Sequence, residues 1–226
     1  RYLLPLWIAP LTGVMFRCVF GALMFSIISI FWKQDKTTLR EKVTLFLLGA
    51  IGLFGFMFFY LIGVSKTTPV SSSLFSSLQP IWVFILSVIF LKERITAMKI
   101  IGITIGLGGA LLCILTQKSD DLASDAFTGN MLCMLSSIAY AAYLIISNVV
   151  LGRVSSLNML RYSFLGAAFS SLAVMAVTGF DAHLFSHFEW TPFLVLMFVL
   201  IFPTTISYLL IPIGLKYLST TLVALY

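Results

Sequence analysis

Charge is scarce in this sequence. Asp, Glu, Lys and Arg make up only 10% of its 226 residues, and there are two histidines and three cysteines. Ordinary soluble domains carry about 25% charged residues, so a water-solvated globular domain is excluded. Cys18, Cys113 and Cys133 are an odd number, lie inside apolar runs and lack metal-ligand spacing, which argues against a disulfide framework and against a zinc site. The alternating pattern of a membrane β-strand is missing as well, which removes the barrel. The net charge of +6 sits in short gaps and forms no continuous basic stripe, so it does not point to nucleic acid.

What is present is apolar. Hydrophobic residues make up 60% of the chain and the mean hydropathy is +1.08. Runs of about 20 apolar residues, the length that crosses about 30 Å of hydrocarbon as a helix, recur with short polar gaps. The pattern predicts seven complete membrane spans, at 13–32, 43–62, 70–91, 97–116, 129–150, 157–178 and 193–215, with an eighth beginning near Ser219. Backbone polar groups in lipid must be satisfied within each segment, which makes every span helical. The chain starts at Arg1, and Leu3 to Leu11 is too short and too interrupted by Pro5 and Pro10 to be a span or a signal-peptide core. An upstream span is therefore expected to be missing.

Lys and Arg set the orientation, because positive loops stay on the cytoplasmic side. Alternate gaps hold Lys33, Lys36, Arg40, Lys42, Lys92, Arg94, Lys99, Arg153, Arg161 and Lys216, ten of the fourteen basic residues. The opposite set holds Arg1, Arg17, Lys66 and Lys118 together with Asp120, Asp121, Asp125, Asp181 and Glu189. The first complete span thus runs from outside to inside.

Two local matches suggest internal repetition. Arg17, Phe20, Phe25 and Ser26 recur as Arg161, Phe164, Phe169 and Ser170 at a shift of 144 residues. Gly63, Thr68 and Leu74 recur as Gly214, Ser219 and Leu225 at a shift of 151. Charge topology puts Arg17 at an outer entrance and Arg161 at an inner one, so the copies are inverted, a common plan for transporters. A counterpart of Pro80 would fall beyond Tyr226, and a downstream span is expected to be missing too.

The stretch from Gly63 to Pro69, with Leu78-Gln79-Pro80, Leu91 to Thr96, and Gly102 and Gly109, resembles the EamA-type permeases of the drug/metabolite transporter superfamily. Gly214 to Leu225, and Gly129 with Ser136 to Tyr143, resemble the corresponding parts of a second unit. The resemblance implies an all-α membrane protein, a helical bundle of two inverted five-helix repeats that is here truncated at both ends. Residues 1–116 would form the first repeat, 117–128 an external linker and 129–226 the second. The resemblance further implies alternating access around a central cavity for small organic solutes, and it marks Arg17 and Glu93 as motif residues.

Several residues could line such a cavity. Pro80 removes the hydrogen bond to the Ser76 carbonyl in mid-span, and Ser72, Ser76 and Gln79 share one helix face beside it. This face suits a substrate cavity and helix packing equally. Ser136, Tyr140, Tyr143 and Ser147 form a second stripe, whose tyrosines lie mid-span and could stack on a substrate. Pro203 with Thr204, Thr205, Ser207 and Tyr208 makes another break, where the threonines could instead cap the carbonyl freed at Val199. For Arg17 and Arg161, snorkelling to headgroups is the expectation and contact with an anionic substrate the alternative. Glu93 lies between Lys92 and Arg94, which favours a local salt bridge.

No Asp, Glu, Lys or His lies deep in a complete span, so no carboxylate relay is visible. His183 and His187 near Asp181 and Glu189 read as loop residues, since no zinc signature surrounds them. The sequence offers no cluster with nucleophile spacing, and no catalytic residue, cofactor or metal is expected. Gly102 and Gly106 form a GxxxG, and Gly49, Gly52 and Gly55 a second small-residue track. Both serve close helix approach and leave a homodimer open. The sequence reading is a secondary transporter, exporter or exchanger, of a small metabolite in a prokaryotic plasma (inner) membrane, its partners being a small-molecule substrate and the lipid bilayer. A non-transporting scaffold or a membrane-embedded enzyme is the alternative.

Overall fold

A computed structural model describes residues 8–32, 37–92, 95–116, 125–179 and 189–225. Its long elements are helices: α1 (Pro10–Phe31), α2 (Leu39–Lys66), α3 (Pro69–Ser77 continued by Gln79–Phe90), α4 (Ala97–Thr116), α5 (Ala126–Leu151), α6 (Ser156–Thr178), α7 (Trp190–Tyr217) and the short α8 (Thr220–Leu225). Of these, α1, α2, α3, α5, α6 and α7 are long and apolar enough to cross a membrane. The outside of the bundle is apolar, with Val177 88% and Ile30 78% exposed, as a lipid-facing surface requires. The protein is a multi-pass helical membrane protein.

The helices follow the predicted spans closely, and α2 outruns its span at the start for a reason legible locally. α2 begins at Leu39 because Thr38 and Glu41 close a capping box. The Glu41 carboxylate accepts from the Thr38 N–H at 2.8 Å, and the Thr38 hydroxyl accepts from the Glu41 N–H at 3.4 Å. Two orphan donors of the first turn are satisfied in this way.

Both α2 and α7 have 28 residues, and their ends are related by the same shift of 151. Each changes to π-helical winding about a third of the way along, at Leu48–Leu53 and at Leu200–Ile206. α8 starts 151 residues after α3. The π segment of α2 packs on α6 and that of α7 on α1, while α1 and α6 lie against each other.

Lipid gives no hydrophobic drive for helix association, so close approach carries the packing. Gly49 lies against the Ser163 carbonyl, and Gly166 against the Phe46 carbonyl. A methyl at either position would overlap backbone, so α2 and α6 cross where only glycine fits. Gly63 meets Cys133 and Gly129 meets Lys66 and Thr67, a second close crossing between α2 and α5. The GxxxG of α4 is different: nothing lies within 4 Å of a Cβ at Gly102, and Gly106 meets only Ile81.

Polar ties join helix ends that the charge pattern assigns to one side. Lys66 pairs with Asp125 at 2.7 Å and the Thr67 hydroxyl donates to Asn130 Oδ1 at 2.6 Å on the outer side. On the inner side Asn158 Nδ2 donates to Thr37 Oγ1 at 2.7 Å and Asn148 Nδ2 to Thr220 Oγ1 at 2.8 Å. The Lys66 ammonium holds the exposed Asp125 carboxyl below its usual range.

Candidate functional site

The prolines create the site's irregular backbone. In α3 the helix breaks at Leu78, whose N–H bonds to Phe75 O at 3.2 Å, and Pro80 stands in the first turn of the second piece. Pro fits there because its missing N–H would have no partner in that turn. In α7, Pro203 lies inside the π segment and leaves the Val199 carbonyl without its usual donor. The Thr204 hydroxyl donates to that carbonyl at 3.0 Å, and the Thr205 hydroxyl donates to Leu200 O at 3.0 Å. The two hydroxyls thus reinforce the wider backbone turns of the π segment, where a membrane cannot leave carbonyls open.

Thr204 also receives a bond. Arg17 Nε donates to Thr204 Oγ1 at 3.1 Å. Thr204 lies 14 residues from the start of α7 and 13 from its end, so the guanidinium stem reaches the middle of the bundle. The expected snorkelling to headgroups is not what α1 does with this side chain. The reason is geometric: α1 begins at Pro10, which sets Arg17 two turns inside the helix, and α1 packs on the π segment of α7. An arginine at such depth costs on the order of 3 kcal/mol or more unless it is compensated.

Beside this pair lies a cavity of about 480 Å³. Arg17, Gln79, Tyr140, Pro203 and Tyr208 line it, joined by Phe56. The helices α1, α2, α3, α5 and α7 each contribute one or more of these residues, and α8 closes it with Val223. Phe56 and Tyr140 meet with tilted rings, centroids 4.9 Å apart, across the α2 and α5 contact. Tyr208 meets Phe164 edge-on at 5.1 Å, and Phe164 in turn meets Phe25 at 5.0 Å. These ring pairs fix the aromatic walls in place.

The other expected residues sit elsewhere. Ser72 is buried, and the Ser76 hydroxyl donates back to Ser72 O at 3.0 Å. Of the stripe on α5, only Tyr140 is among the described lining residues. Ser136, Tyr143 and Ser147 are buried in the core, their hydroxyls without a hydrogen-bond partner among the described residues. Glu93, His183 and His187 lie outside the described residues. Among the described residues no group of three or more His, Cys, Asp or Glu could hold a metal. Sequence reading missed Phe56 and Val223 as wall residues; an apolar residue in an apolar run carries no signal of which face it shows.

Residues 3–115 match the EamA-like transporter family. The chain belongs to that family. Among similar proteins, an uncharacterized transporter of Bacillus subtilis, YyaM, is 26% identical over 175 residues, 76% of this chain and 57% of that protein. An uncharacterized transporter of Archaeoglobus fulgidus is 32% identical over 159 residues, 70% of this chain and 53% of that protein. The chain thus spans a little over half the length of these relatives. A solved crystal structure shares the fold at a TM-score of 0.70 and 19% identity, covering 96% of this chain and 73% of that one.

Proposed function

We propose that this protein is a secondary transporter, an exporter or exchanger, that moves a small organic metabolite by alternating access. One observation carries the reading: a cavity of about 480 Å³ where five long helices converge, polar only at a few places, in a bundle whose surface is lipid-like. A mostly apolar pocket with a few convergent polar groups is the usual form of a small-molecule site. The EamA membership supports it, as do the relatives named transporters.

Matched π segments in α2 and α7 support the inverted-repeat reading. Such windings are common at functional sites, and here each packs on the opposite member of the α1 and α6 pair. Two related halves rocking about that pair is the motion this packing favours. A prokaryotic plasma membrane is the proposed location, in keeping with bacterial and archaeal relatives.

The deciding experiment is solute uptake and efflux in vesicles carrying the protein at its full natural length, across a metabolite library. Saturable flux of at least one solute is expected. Correctly inserted, folded protein that moves nothing overturns the reading in favour of a scaffold or an enzyme.

A further inference from the structure

Arg17 is the sole charged side chain among the described residues that line the cavity. Its Nε is used by Thr204, and among the described residues no partner meets its two Nη groups. The described acidic residues are Glu41, Asp125 and Glu189. Each stands at a helix end, and Asp125 is already paired with Lys66. A guanidinium at the depth of Thr204 therefore faces the cavity with a hydroxyl for company and no described carboxylate to balance it.

We infer that Arg17 is the recognition group for a substrate carboxylate, and that the cavity takes a small organic monoacid with a compact apolar or aromatic body. This rests on the transporter reading above. The planar fork of Arg presents two parallel N–H donors to a carboxylate, and one fixed cation neutralises one anionic charge. With Nε held by Thr204, the Nη edge is the free face of the fork. Tyr140, Tyr208 and Phe56 supply walls for the body of the acid, and the Gln79 amide can both donate to and accept from one further polar group. The same accounting discriminates against amino acids. Their ammonium would enter a wall with one cation and no described anion, and like charges in a low-dielectric site repel strongly.

The test uses the full-length protein in proteoliposomes, with 3-phenylpropanoate, its amide 3-phenylpropanamide and phenylalanine as matched probes, and with the isobutyl analogue 4-methylpentanoate, its amide and leucine. Flux is read with each probe, and melting in detergent is read with and without it. The wild type is expected to move at least one acid ten-fold faster than its amide and its amino acid, and to be stabilised by that acid. Arg17→Gln is expected to lose this preference. Arg17→Lys keeps the charge without the fork and is expected to lie between the two. If Arg17→Gln fails to fold, the wild-type preference and the Arg17→Lys decrease still decide. Equal or faster flux of the amides or amino acids in the wild type overturns the inference and leaves the transporter reading standing. So does full acid flux in Arg17→Gln, or flux of other library solutes with no response to either acid. Absence of flux for every solute overturns both.

Discussion

Arg17 and Thr204, 187 residues apart in sequence, meet through a 3.1 Å hydrogen bond whose acceptor hydroxyl simultaneously donates to the Val199 carbonyl. One side chain thus backs the π turn around Pro203 and anchors the only cation in the described cavity wall. Thr204→Val keeps the shape and removes both bonds. Bonds to charged groups contribute about 1.5–3 kcal/mol, so a loss of about 2 kcal/mol in stability is expected, with Thr204→Ser much closer to wild type. Thermal unfolding in detergent checks this; equal melting of all three proteins would contradict it.

The glycine crossing of α2 and α6 predicts a sharp contrast. Gly49→Ala and Gly166→Ala each drive a methyl into backbone carbonyls, and overpacking costs typically 1–3 kcal/mol or more. Reduced folded yield and an early melt are expected. Gly102→Ala meets nothing within 4 Å and should be neutral or slightly stabilising, since Ala is the better helix former. Equal behaviour of Gly49→Ala and Gly102→Ala would show that the crossing is looser than described.

Tyr140 and Tyr143 separate the site from the core. Tyr140→Ala is expected to change flux several-fold with a modest effect on melting. Tyr143 is 1% exposed and its hydroxyl has no partner among the described residues. Tyr143→Phe should therefore be neutral or stabilising, because it removes a desolvated polar group. Tyr143→Ala should cost about 3–5 kcal/mol by opening a cavity. A flux defect in Tyr143→Phe without a stability change would move that hydroxyl into the transport path.

The Lys66 and Asp125 pair predicts where pH acts. The Asp125 carboxyl is held below its usual range, so its contribution is complete above the unfolded carboxyl pKa of about 3.9 and is lost as pH falls through the depressed folded value. The melting margin of wild type over Asp125→Asn should be flat from pH 8 to 5 and shrink only in stronger acid. A margin that changes between pH 8 and 5 would assign the control to another group.

The spans and their order were readable because the length of an apolar run is a one-dimensional property. The Thr38 and Glu41 box was readable in the same way, yet long apolar runs drew attention to where hydrocarbon begins rather than to where the helix begins. Which face of a span meets a cavity is not one-dimensional. Tyr140 and Tyr143 share a stripe by spacing, but three residues on a helix are 60° short of a full turn, enough to put one ring in the cavity wall and the other in the core. Arg17 departs from its expected place at an entrance for a related reason. Counting from the edge of an apolar run placed it at an entrance, whereas its depth is set by α7, a helix far away in sequence.

The matched length of α2 and α7 has a mechanical consequence. Twenty-eight residues make a rod of about 42 Å, and typical hydrocarbon is about 30 Å thick. The surplus matches the headgroup layers, which bring a bilayer to about 40–45 Å. Arg40, Glu41 and Lys42 occupy one end of α2 and Lys66 the other, and Trp190 and Lys216 stand at the ends of α7. Charged and aromatic side chains at both ends suit headgroup depth, so each rod is pinned at its two ends rather than free to slide along the membrane normal.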